Sequence, residues 1–483
     1  MEKPTTVTSF VIQTGNTEPQ AEALANFLYQ RFVLPQSFAS TNVQYTSYNN
    51  EHLLSFTRRS AKGWQIDVEI RVGVNVQVTM IPSDNVTVPM QVLEQLKDDI
   101  YYTVEIFEEQ TRQRTINFAW VEGKEIVPEK TPIRRKRMLE KILFGNMIFL
   151  FIILIIFSVF LFILFEPLVG IYVPFALVGA QFIVVLAAAK IIARGGDWAI
   201  NEQNSTVHIL KYEISPEESQ TFKQKLDKNT LIKIKTEIYQ KTLALNKPID
   251  CQTAQETFAK YGFTCIPENM STKTINVYVL VKNVAEKFGL PIPKIVISNT
   301  VIPNAAASGP SPKHGVVLIT TGLLAQLSDE EIVAVLGHEF SHLTGRDPIV
   351  LFGLTAAEYL FRFYFIWPLI LVFDPFIFYL YFLLALSVIF FIAKFFEARA
   401  DLVSAIRIGT PWVLAGALRK IGFKRLRMEK SRSSRFGTWI GFDPHPPIYF
   451  RVERLERMQA PVSAKYPLMR SIKDCLNGFF SSF

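Results

Sequence analysis

The chain has 483 residues and a formal net charge of +8 at pH 7, with 49% hydrophobic and only 19% charged residues, below the roughly 25% charged of an average soluble domain. Its 40 Phe exclude a disordered chain, and its 23 Gly and 26 Pro, which follow no period, exclude a collagen-like one. Three Cys are too few for a disulfide framework and suggest a reducing compartment.

The first 128 residues predict a soluble α+β domain without evident chemistry. Residues 18–32 and 90–109 predict helices, and residues 64–79 alternate between apolar and polar side chains as strands do. His52 is expected to be an ordinary surface residue. The polar start of the chain lacks the apolar core of a secretory signal peptide, so none is expected.

Two uncharged runs predict a transmembrane hairpin. Residues 142–165 hold 24 residues without a charge and residues 167–189 hold a further 23. Each run is long enough for a helix that crosses a hydrocarbon layer of about 30 Å. Glu166, Pro167 and Gly170 predict a short turn between them.

A second apolar region, residues 349–393, predicts another hairpin that is broken at Asp374 and Pro375. Its second half, residues 375–393, is uncharged, whereas its first half contains Glu358 and Arg362. These two lie four residues apart on one helix face and are expected to pair. Because charge in lipid is costly, the pair predicts a polar contact within the helix bundle, part of a substrate path, or a shorter hairpin that does not fully span.

The basic residues around both hairpins predict that all soluble parts lie on the cytoplasmic side. They precede the first apolar run and follow each hairpin, whereas neither hairpin turn carries one. We therefore expect a multi-pass protein of the cell membrane, with the lipid bilayer as a partner and with both termini, and any active site in the soluble parts, in the cytoplasm. Because the basic residues that set the membrane topology explain much of the positive net charge, no nucleic-acid partner is expected. The flanking residues are Lys130, Arg134, Arg135, Lys136, Arg137, Lys141, Lys190, Arg194, Lys394 and Arg399.

Between the hairpins the sequence predicts alternating helices and strands. A strand is expected at 207–212, a capped helix start at Ser215, and a helix at 277–288 that ends at Gly289. His208 and His314 have no partner pattern and are expected to be structural or surface residues. Extended segments are expected at 294–298, 304–309 and 315–320.

The strongest chemical signal is the segment His338-Glu-Phe-Ser-His342. A capping box at Ser328-Asp-Glu-Glu331 starts its helix, and Gly345 is the expected end. Two His at this spacing lie on one helix face, so both imidazoles can bind one metal ion. Glu339 lies close by but is not placed as a ligand, and it can accept a proton from the water that such an ion activates. The alternative is two partly buried His on an amphipathic helix.

Catalytic zinc usually has three protein ligands and a water, so a third ligand is expected from another segment. Glu397, just after the last apolar run, is the candidate. Asp401 lies one turn later and is expected to hold a ligand His through its second ring N–H. Most such acidic pairs are solvated helix surface, but the position of this one at the end of the second hairpin favours a role. Two imidazoles and a carboxylate suit zinc, so one Zn²⁺ per chain is expected.

Together these motifs resemble the HtpX-type membrane metalloproteases, which are related to the CAAX prenyl proteases. The similarity covers roughly residues 135–455 and includes the motif Glu397-Ala-Arg-Ala-Asp401. It implies a mainly α, gluzincin-like protease domain with a small β-sheet. Together with the four transmembrane helices in two hairpins and the N-terminal α+β domain, which the resemblance does not cover, this predicts a multi-domain membrane protein. The expected layout is 1–128 soluble domain, 129–195 basic flank and first hairpin, 196–347 first protease part with the zinc helix, 348–394 second hairpin, and 395–483 second protease part.

The resemblance also implies further site residues. The segment that contains Asn304, Ala305 and Ala306 lies beside the metal in such enzymes, and is expected to bind the substrate backbone by strand addition. A His-Pro…Arg element approaches the active site in the family, so His445 or Arg451 is expected to stabilise the oxyanion, with His445 also a candidate to cover the metal. Taken without the family, His445 caps a loop and Arg451 begins an exposed helix.

A basic cluster between residues 419 and 435 predicts either attraction to anionic lipid headgroups or a solvated loop face. Its members are Arg419, Lys420, Lys424, Arg425, Arg427, Lys430, Arg432 and Arg435.

These observations lead to the hypothesis of a membrane-anchored zinc endopeptidase. Its polypeptide substrates, as the resemblance implies, are misfolded or surplus membrane proteins. One alternative is a prenyl-protein (CAAX) processing protease, although such enzymes have more membrane helices than the four predicted. Another is an inactive membrane scaffold, against which the presence of every catalytic residue type argues.

Overall fold

The computed structural model describes residues 7–14, 18–36, 40–48, 51–83, 88–127, 147–215, 218, 227–263, 265–266, 269–370, 375–429 and 432–482. The chain divides into two units, Met1–Phe118 with His208–Lys273, and Ala119–Val207 with Thr274–Phe483. The predicted basic flank at 130–141, the turn residue Asp374 and residues 216–217 and 219–226 of the helix predicted after Ser215 lie outside the described residues. The predicted layout of functional domains is a different division and stays a prediction.

In the first unit, alternating apolar residues build a five-stranded antiparallel sheet. Ile66, Val68 and Ile70 are fully buried, because successive side chains of a strand point to opposite faces. The two predicted helices are confirmed as Glu18–Leu28, followed by a π-helical turn Tyr29–Val33, and Met90–Arg114, and they share one hydrophobic core with the sheet. The strands are, in spatial order, Thr8–Gln13, Asn75–Pro82, Gln65–Val72, Glu51–Arg59 and Ser40–Tyr48.

His52 is buried, so the prediction of an ordinary surface residue is wrong. Its side chain shares the inward register of Leu54 and Phe56 on the strand Glu51–Arg59. Its Nδ1 atom lies 3.1 Å from the Tyr45 hydroxyl. The period of the strand therefore decides the burial of this histidine.

A further sheet has three strands. They pair in the spatial order Thr115–Val121, Thr206–Glu213 and Met270–Asn276, and the middle one confirms the strand predicted at 207–212. The backbone N–H of Ser215 donates to the Glu218 carboxylate at 3.0 Å, as expected of a capped start. The other helices described in the first unit are Lys228–Lys241 and Cys251–Lys260, each with an Asp cap.

The second unit contains a four-stranded sheet and the helix that leads into it. The helix Val277–Phe288 ends at Gly289, in the left-handed conformation with φ 65°. The central strands Lys294–Ser298 and Val316–Thr320 are parallel, and Trp198–Ile200 and Ala305–Ser308 are antiparallel edge strands. These strands confirm the extended segments that the sequence predicts.

Two helices cross closely in the second unit. The motif helix, Asp329–Gly345, begins with the predicted capping box and ends before Arg346. The long helix, Pro375–Ile408, packs against it at Gly337. A Cβ at Gly337 would lie 2.6 Å from Ile408 Cγ1 and 2.7 Å from Ser404 Oγ. The missing side chain therefore permits this close crossing.

Three helical segments among the described residues are long and apolar enough to cross a membrane, namely Ile156–Gly195, Asp347–Leu369 and Tyr379–Ile408. The first of them contains parts of two helices, Met147–Val169 and Val173–Gly195, with the turn Gly170–Tyr172 between them. The count of four transmembrane helices stays a prediction.

The predicted pair of Glu358 and Arg362 is confirmed. Arg362 Nε donates to Glu358 Oε1 at 2.8 Å. The Tyr381 hydroxyl lies 3.4 Å from the same oxygen, and the guanidinium stands 5.3 Å from the Phe382 ring. Because Tyr381 and Phe382 belong to the long helix, the pair is a polar contact between helices. The helix turns that carry it are Asp347–Phe361, a π-helical turn Arg362–Ile366, and Trp367–Ile370.

After the long helix the chain folds into shorter helices, and the basic cluster does not form one surface. Arg419 and Lys420 are 6% and 7% exposed and pair with Glu456 and Glu331. The prediction of attraction to lipid headgroups is therefore wrong for Arg419 and Lys420, because both lie on the inward face of the helix that carries them. The helices described here are Thr321–Gln326 before the motif helix and Pro411–Ile421, Phe423–Met428, Arg432–Ile440, Ile448–Glu456 and Pro467–Phe480 after the long helix.

Candidate metal centre

His338, His342 and Glu397 meet where the motif helix crosses the long helix. The two His Nε2 atoms are 3.2 Å apart, and each lies 3.4 Å from an oxygen of the Glu397 carboxylate. The spacing of four residues places both His on one face of the motif helix. Glu397 comes from a distant part of the sequence, so tertiary packing is needed to complete the group.

The chemistry of this group fits a metal ion. One ligand atom from each of the three residues lies within 4.8 Å of the others. Glu397 Oε2 is buried without a hydrogen-bond partner. A buried carboxylate oxygen without a hydrogen bond is costly, and a cation would compensate it. Two imidazoles and one carboxylate are a common ligand set for zinc.

A carboxylate lies behind each of the two imidazoles. His338 Nδ1 is 2.8 Å from Asp401 Oδ1, and His342 Nδ1 is 2.8 Å from Asp347 Oδ2. An imidazole that donates its Nδ1–H to a carboxylate keeps the lone pair of Nε2 for a metal. With Nδ1 as the donor, each ring has the tautomer and orientation that metal binding requires.

Arg451 is 5% exposed, so the interpretation as the start of an exposed helix is wrong. Its Nε and Nη2 atoms donate to the two oxygens of Asp401 at 2.8 and 2.7 Å. Its Nη1 atom lies 3.9 Å from Glu397 Oε2. The inward face of the helix Ile448–Glu456 carries this guanidinium, where it contacts the carboxylate behind His338.

The electrostatics of the centre favour positive charge at His338. Burial opposes protonation of His338, but hydrogen bonds to Asp401 and Glu397 outweigh it and raise the pKa of this imidazole to about 10. Burial likewise opposes the charged form of Arg451, yet Asp401 and Glu397 raise the pKa of its guanidinium above the ordinary value. A bound cation would supply positive charge at the same place.

Glu339 connects the motif helix to the edge strand Ala305–Ser308. Its Oε2 atom accepts a hydrogen bond from the Ala307 backbone N–H at 2.8 Å. Burial raises the pKa of the Glu339 carboxyl, and the neighbouring His338 and His342 oppose that shift. The edge strand thus lies directly beside the residue that the sequence predicts as the base.

The three residues predicted to bind substrate lie at or in this edge strand. Ala305 and Ala306 pair with Ile319 and Leu318 of the neighbouring strand. Asn304 precedes the strand, and its backbone N–H donates to Thr320 Oγ1 at 2.9 Å. An edge strand offers one row of backbone groups to another extended chain.

His445 approaches the group from a loop. Its Nε2 atom lies 3.7 Å from Glu397 Oε2. Its side chain is 41% exposed, against 10% for His338 and 15% for His342. Of these three imidazoles it is the most accessible from outside.

Asp347 and Arg399 were missed by the sequence analysis. Arg346 adopts a left-handed φ of 52°, which turns the chain so that the Asp347 carboxylate reaches back to His342. Arg399 Nη2 donates to both oxygens of Asp347, at 2.8 and 2.6 Å. A Cβ at Gly345 would lie 2.0 Å from this Nη2 atom, so the glycine makes room for the guanidinium. Asp347 lies outside the motif helix and so does not share the periodic spacing of the two histidines; the turn at Arg346 brings it into contact with His342.

Comparison with known proteins identifies sequences that are similar to this chain. Residues 271–459 match peptidase family M48. A protease HtpX homolog of Thermodesulfovibrio yellowstonii is 42% identical over 92 residues, which are 19% of this chain and 32% of that protein. Another, of Tropheryma whipplei, is 31% identical over 205 residues, 37% of this chain and 70% of that protein. The chain thus spans about a third of the length of the first relative and about two thirds of the second.

These matches define the family of the protein. The chain belongs to peptidase family M48 and, within it, to the HtpX-type proteases. The solved structure of Ste24p from S. mikatae is 19% identical and covers 36% of this chain and 49% of its own, with a TM-score of 0.28.

Proposed function

We propose that this chain is a zinc-dependent endopeptidase that its apolar helices anchor in a membrane, with the active site on the cytoplasmic side. The observation that carries the proposal is the convergence of His338, His342 and Glu397 beside Glu339. Membership of family M48 supports hydrolysis of peptide bonds. The three apolar helical segments support the membrane anchor.

In this proposal His338, His342 and Glu397 hold one Zn²⁺, and Asp401 and Asp347 orient the two imidazoles. When bound, zinc acidifies water and polarises a carbonyl group. Each of the outer carboxylates contacts an imidazole Nδ1 at 2.8 Å, which keeps Nε2 free for the ion.

Glu339 is the general base and then the general acid. Its carboxylate accepts the proton of the attacking water and delivers it to the leaving amine nitrogen. The hydrogen bond from Ala307 holds the carboxylate in place at 2.8 Å. Its raised pKa suits a group that must carry a proton between the two steps.

The edge strand at Asn304, Ala305 and Ala306 binds the substrate as an additional strand. An extended polypeptide there lies next to Glu339, because Ala307 of the same strand contacts it. His445 contacts the oxyanion of the tetrahedral intermediate. Arg451 has two of its donors on Asp401, so we assign it to positioning that carboxylate.

The substrate class follows from the position of the site next to the apolar segments. Asp347, which contacts His342, is also the first residue of the segment Asp347–Leu369. A polypeptide that emerges from the bilayer reaches the edge strand without a long connection. We therefore propose misfolded or surplus membrane proteins as substrates.

The test uses protein purified in detergent, with zinc measured by elemental analysis and cleavage measured on β-casein with and without a chelator. We expect about one zinc per chain and cleavage that the chelator stops. Glu339→Gln should keep the zinc and abolish cleavage, whereas Glu397→Ala should lose zinc as well.

Each alternative has a distinct outcome in the same assay. Cleavage of a prenylated C-terminal peptide in preference to casein would favour prenyl-protein processing. Zinc at full occupancy with cleavage of neither substrate would support the inactive scaffold and reject the peptidase. Undiminished cleavage by Glu339→Gln would reject Glu339 as the base.

A further inference from the structure

The loop that carries His445, residues 441–447, is anchored to the long helix by a buried lysine. Lys394 is fully buried, and its Nζ atom donates to the backbone carbonyl oxygens of Gly441, at 3.3 Å, and of Asp443. Lys394 lies one helical turn before Glu397 on the same helix. The loop and the candidate metal ligand are therefore attached to one rigid element.

Asp443 is held at both oxygens of its carboxylate. Oδ1 accepts the backbone N–H of His445 at 2.8 Å and lies 2.9 Å from His445 Nδ1. Oδ2 accepts a hydrogen bond from Arg425 Nη2 at 2.6 Å. With its main-chain carbonyl on Lys394, Asp443 has little freedom to move. These contacts hold the His445 ring in one orientation.

That orientation directs His445 Nε2 toward the candidate metal centre. With Nδ1 on Asp443, the other ring nitrogen faces Glu397 Oε2 at 3.7 Å. The arrangement repeats the contact of Asp401 with His338, in which a carboxylate holds the ring from behind. The His338 side chain is buried, whereas the His445 ring is accessible from outside. A substrate can therefore reach His445.

We propose that Asp443 is a positioning residue for catalysis, which holds His445 so that Nε2 meets the scissile carbonyl oxygen in the transition state. Arg425 and Lys394 keep Asp443 in place for this purpose. The inference rests on the proposed peptidase function and adds a residue that neither the His-Glu-x-x-His helix nor the Glu397 motif contains.

The test is a double-mutant cycle of Asp443→Ala and His445→Ala in the full-length, zinc-loaded protein. The probe is an internally quenched peptide built on a site that the parent protein cleaves in β-casein. Because misplacing a reacting group costs up to about a hundredfold in rate, we expect Asp443→Ala to lower kcat about tenfold to a hundredfold. KM and zinc content should stay within about twofold of the parent, since neither the edge strand nor a ligand is changed.

The decisive result comes from the double variant. If Asp443 acts through His445, the two effects are not additive, and Asp443→Ala has no further effect on kcat in the His445→Ala background. A purely structural role would lower kcat by the same factor in both backgrounds, which would overturn the proposal. Unchanged kcat in Asp443→Ala would overturn it as well.

A second variant and a control keep the test sharp. Asp443→Asn keeps one oxygen acceptor for His445 and should retain more of kcat than Asp443→Ala; it replaces the alanine variant in the cycle if that one does not fold. Glu456→Gln alters a carboxylate paired with Arg419 at 3.2 Å, away from the loop, and should have the parental kcat. A zinc-loaded parent that cleaves neither casein nor any peptide would reject the proposed function together with this inference.

Discussion

Removal of the Asp347 carboxylate should weaken zinc binding although Asp347 is not a proposed ligand. Its Oδ2 atom lies 2.8 Å from His342 Nδ1, and the residue is 2% exposed. Loss of such an outer carboxylate typically costs about 10–100-fold in metal affinity. We therefore expect Asp347→Ala to raise the zinc Kd by that factor, which corresponds to about 1.4–2.7 kcal/mol.

The same substitution also removes the partner of a nearly buried guanidinium. Arg399 donates to both oxygens of Asp347. Without them it would keep a hydrogen bond to the Ser341 carbonyl oxygen, at 3.2 Å, and its contact with the Phe396 ring. Breaking a buried pair on one side costs about 3–5 kcal/mol of stability, so Asp347→Ala should also unfold at a lower temperature. Asp347→Asn keeps an oxygen acceptor for His342, and its zinc affinity should lie closer to that of the parent.

The assay is competition for zinc against a chromogenic chelator in detergent, combined with thermal unfolding. Asp474→Asn is a matched control, because that carboxylate accepts a hydrogen bond from Arg454 at 2.8 Å without contact to the imidazoles; it should have the parental zinc Kd. A folded Asp347→Ala protein with a zinc Kd within about twofold of the parent would refute the argument that this carboxylate orients His342.

Two further predictions test the helix crossing and the edge strand. Gly337→Ala should lower the midpoint of thermal unfolding, because overpacking against Ile408 costs about 1–3 kcal/mol. Gly353→Ala is the control and should leave the midpoint unchanged, because a Cβ there meets no atom within 4 Å. Equal midpoints for the two variants would contradict the close crossing. Ala307→Pro removes the backbone N–H whose hydrogen bond Glu339 accepts. Because a hydrogen bond to a charged group contributes about 1.5–3 kcal/mol, kcat should fall about tenfold or more while the zinc content stays unchanged. An unaltered kcat would exclude this contact from catalysis.

The candidate centre depends on residues in two apolar segments. Asp347 begins the segment Asp347–Leu369, and Glu397, Arg399 and Asp401 lie in the segment Tyr379–Ile408. His338 and His342 contact carboxylates from these segments. A shift of either segment would therefore move a group that contacts an imidazole, so the structural integrity of the apolar helices and that of the centre are linked.

The predictable parts of the protein are those with a local period. The spacing of His338 and His342 places both on one helix face, and the alternation in residues 64–79 specifies strands, because both patterns repeat with the geometry of one element. Charge-free runs likewise indicate the apolar helices without any tertiary information. The pairing of Glu358 with Arg362 belongs to the same group, since both lie on one helix face.

The remaining features were decided by packing between elements that are far apart in the sequence. The burial of Arg451 and Lys420 could not be predicted, because a basic residue on a short helix has no periodic mark that shows which face turns inward. Asp347 reaches His342 only through the left-handed turn at Arg346. Sequence alone thus determined the element that carries the paired histidines, whereas tertiary structure decided which carboxylates surround them, because electrostatic partners are selected by distance in space and not along the chain.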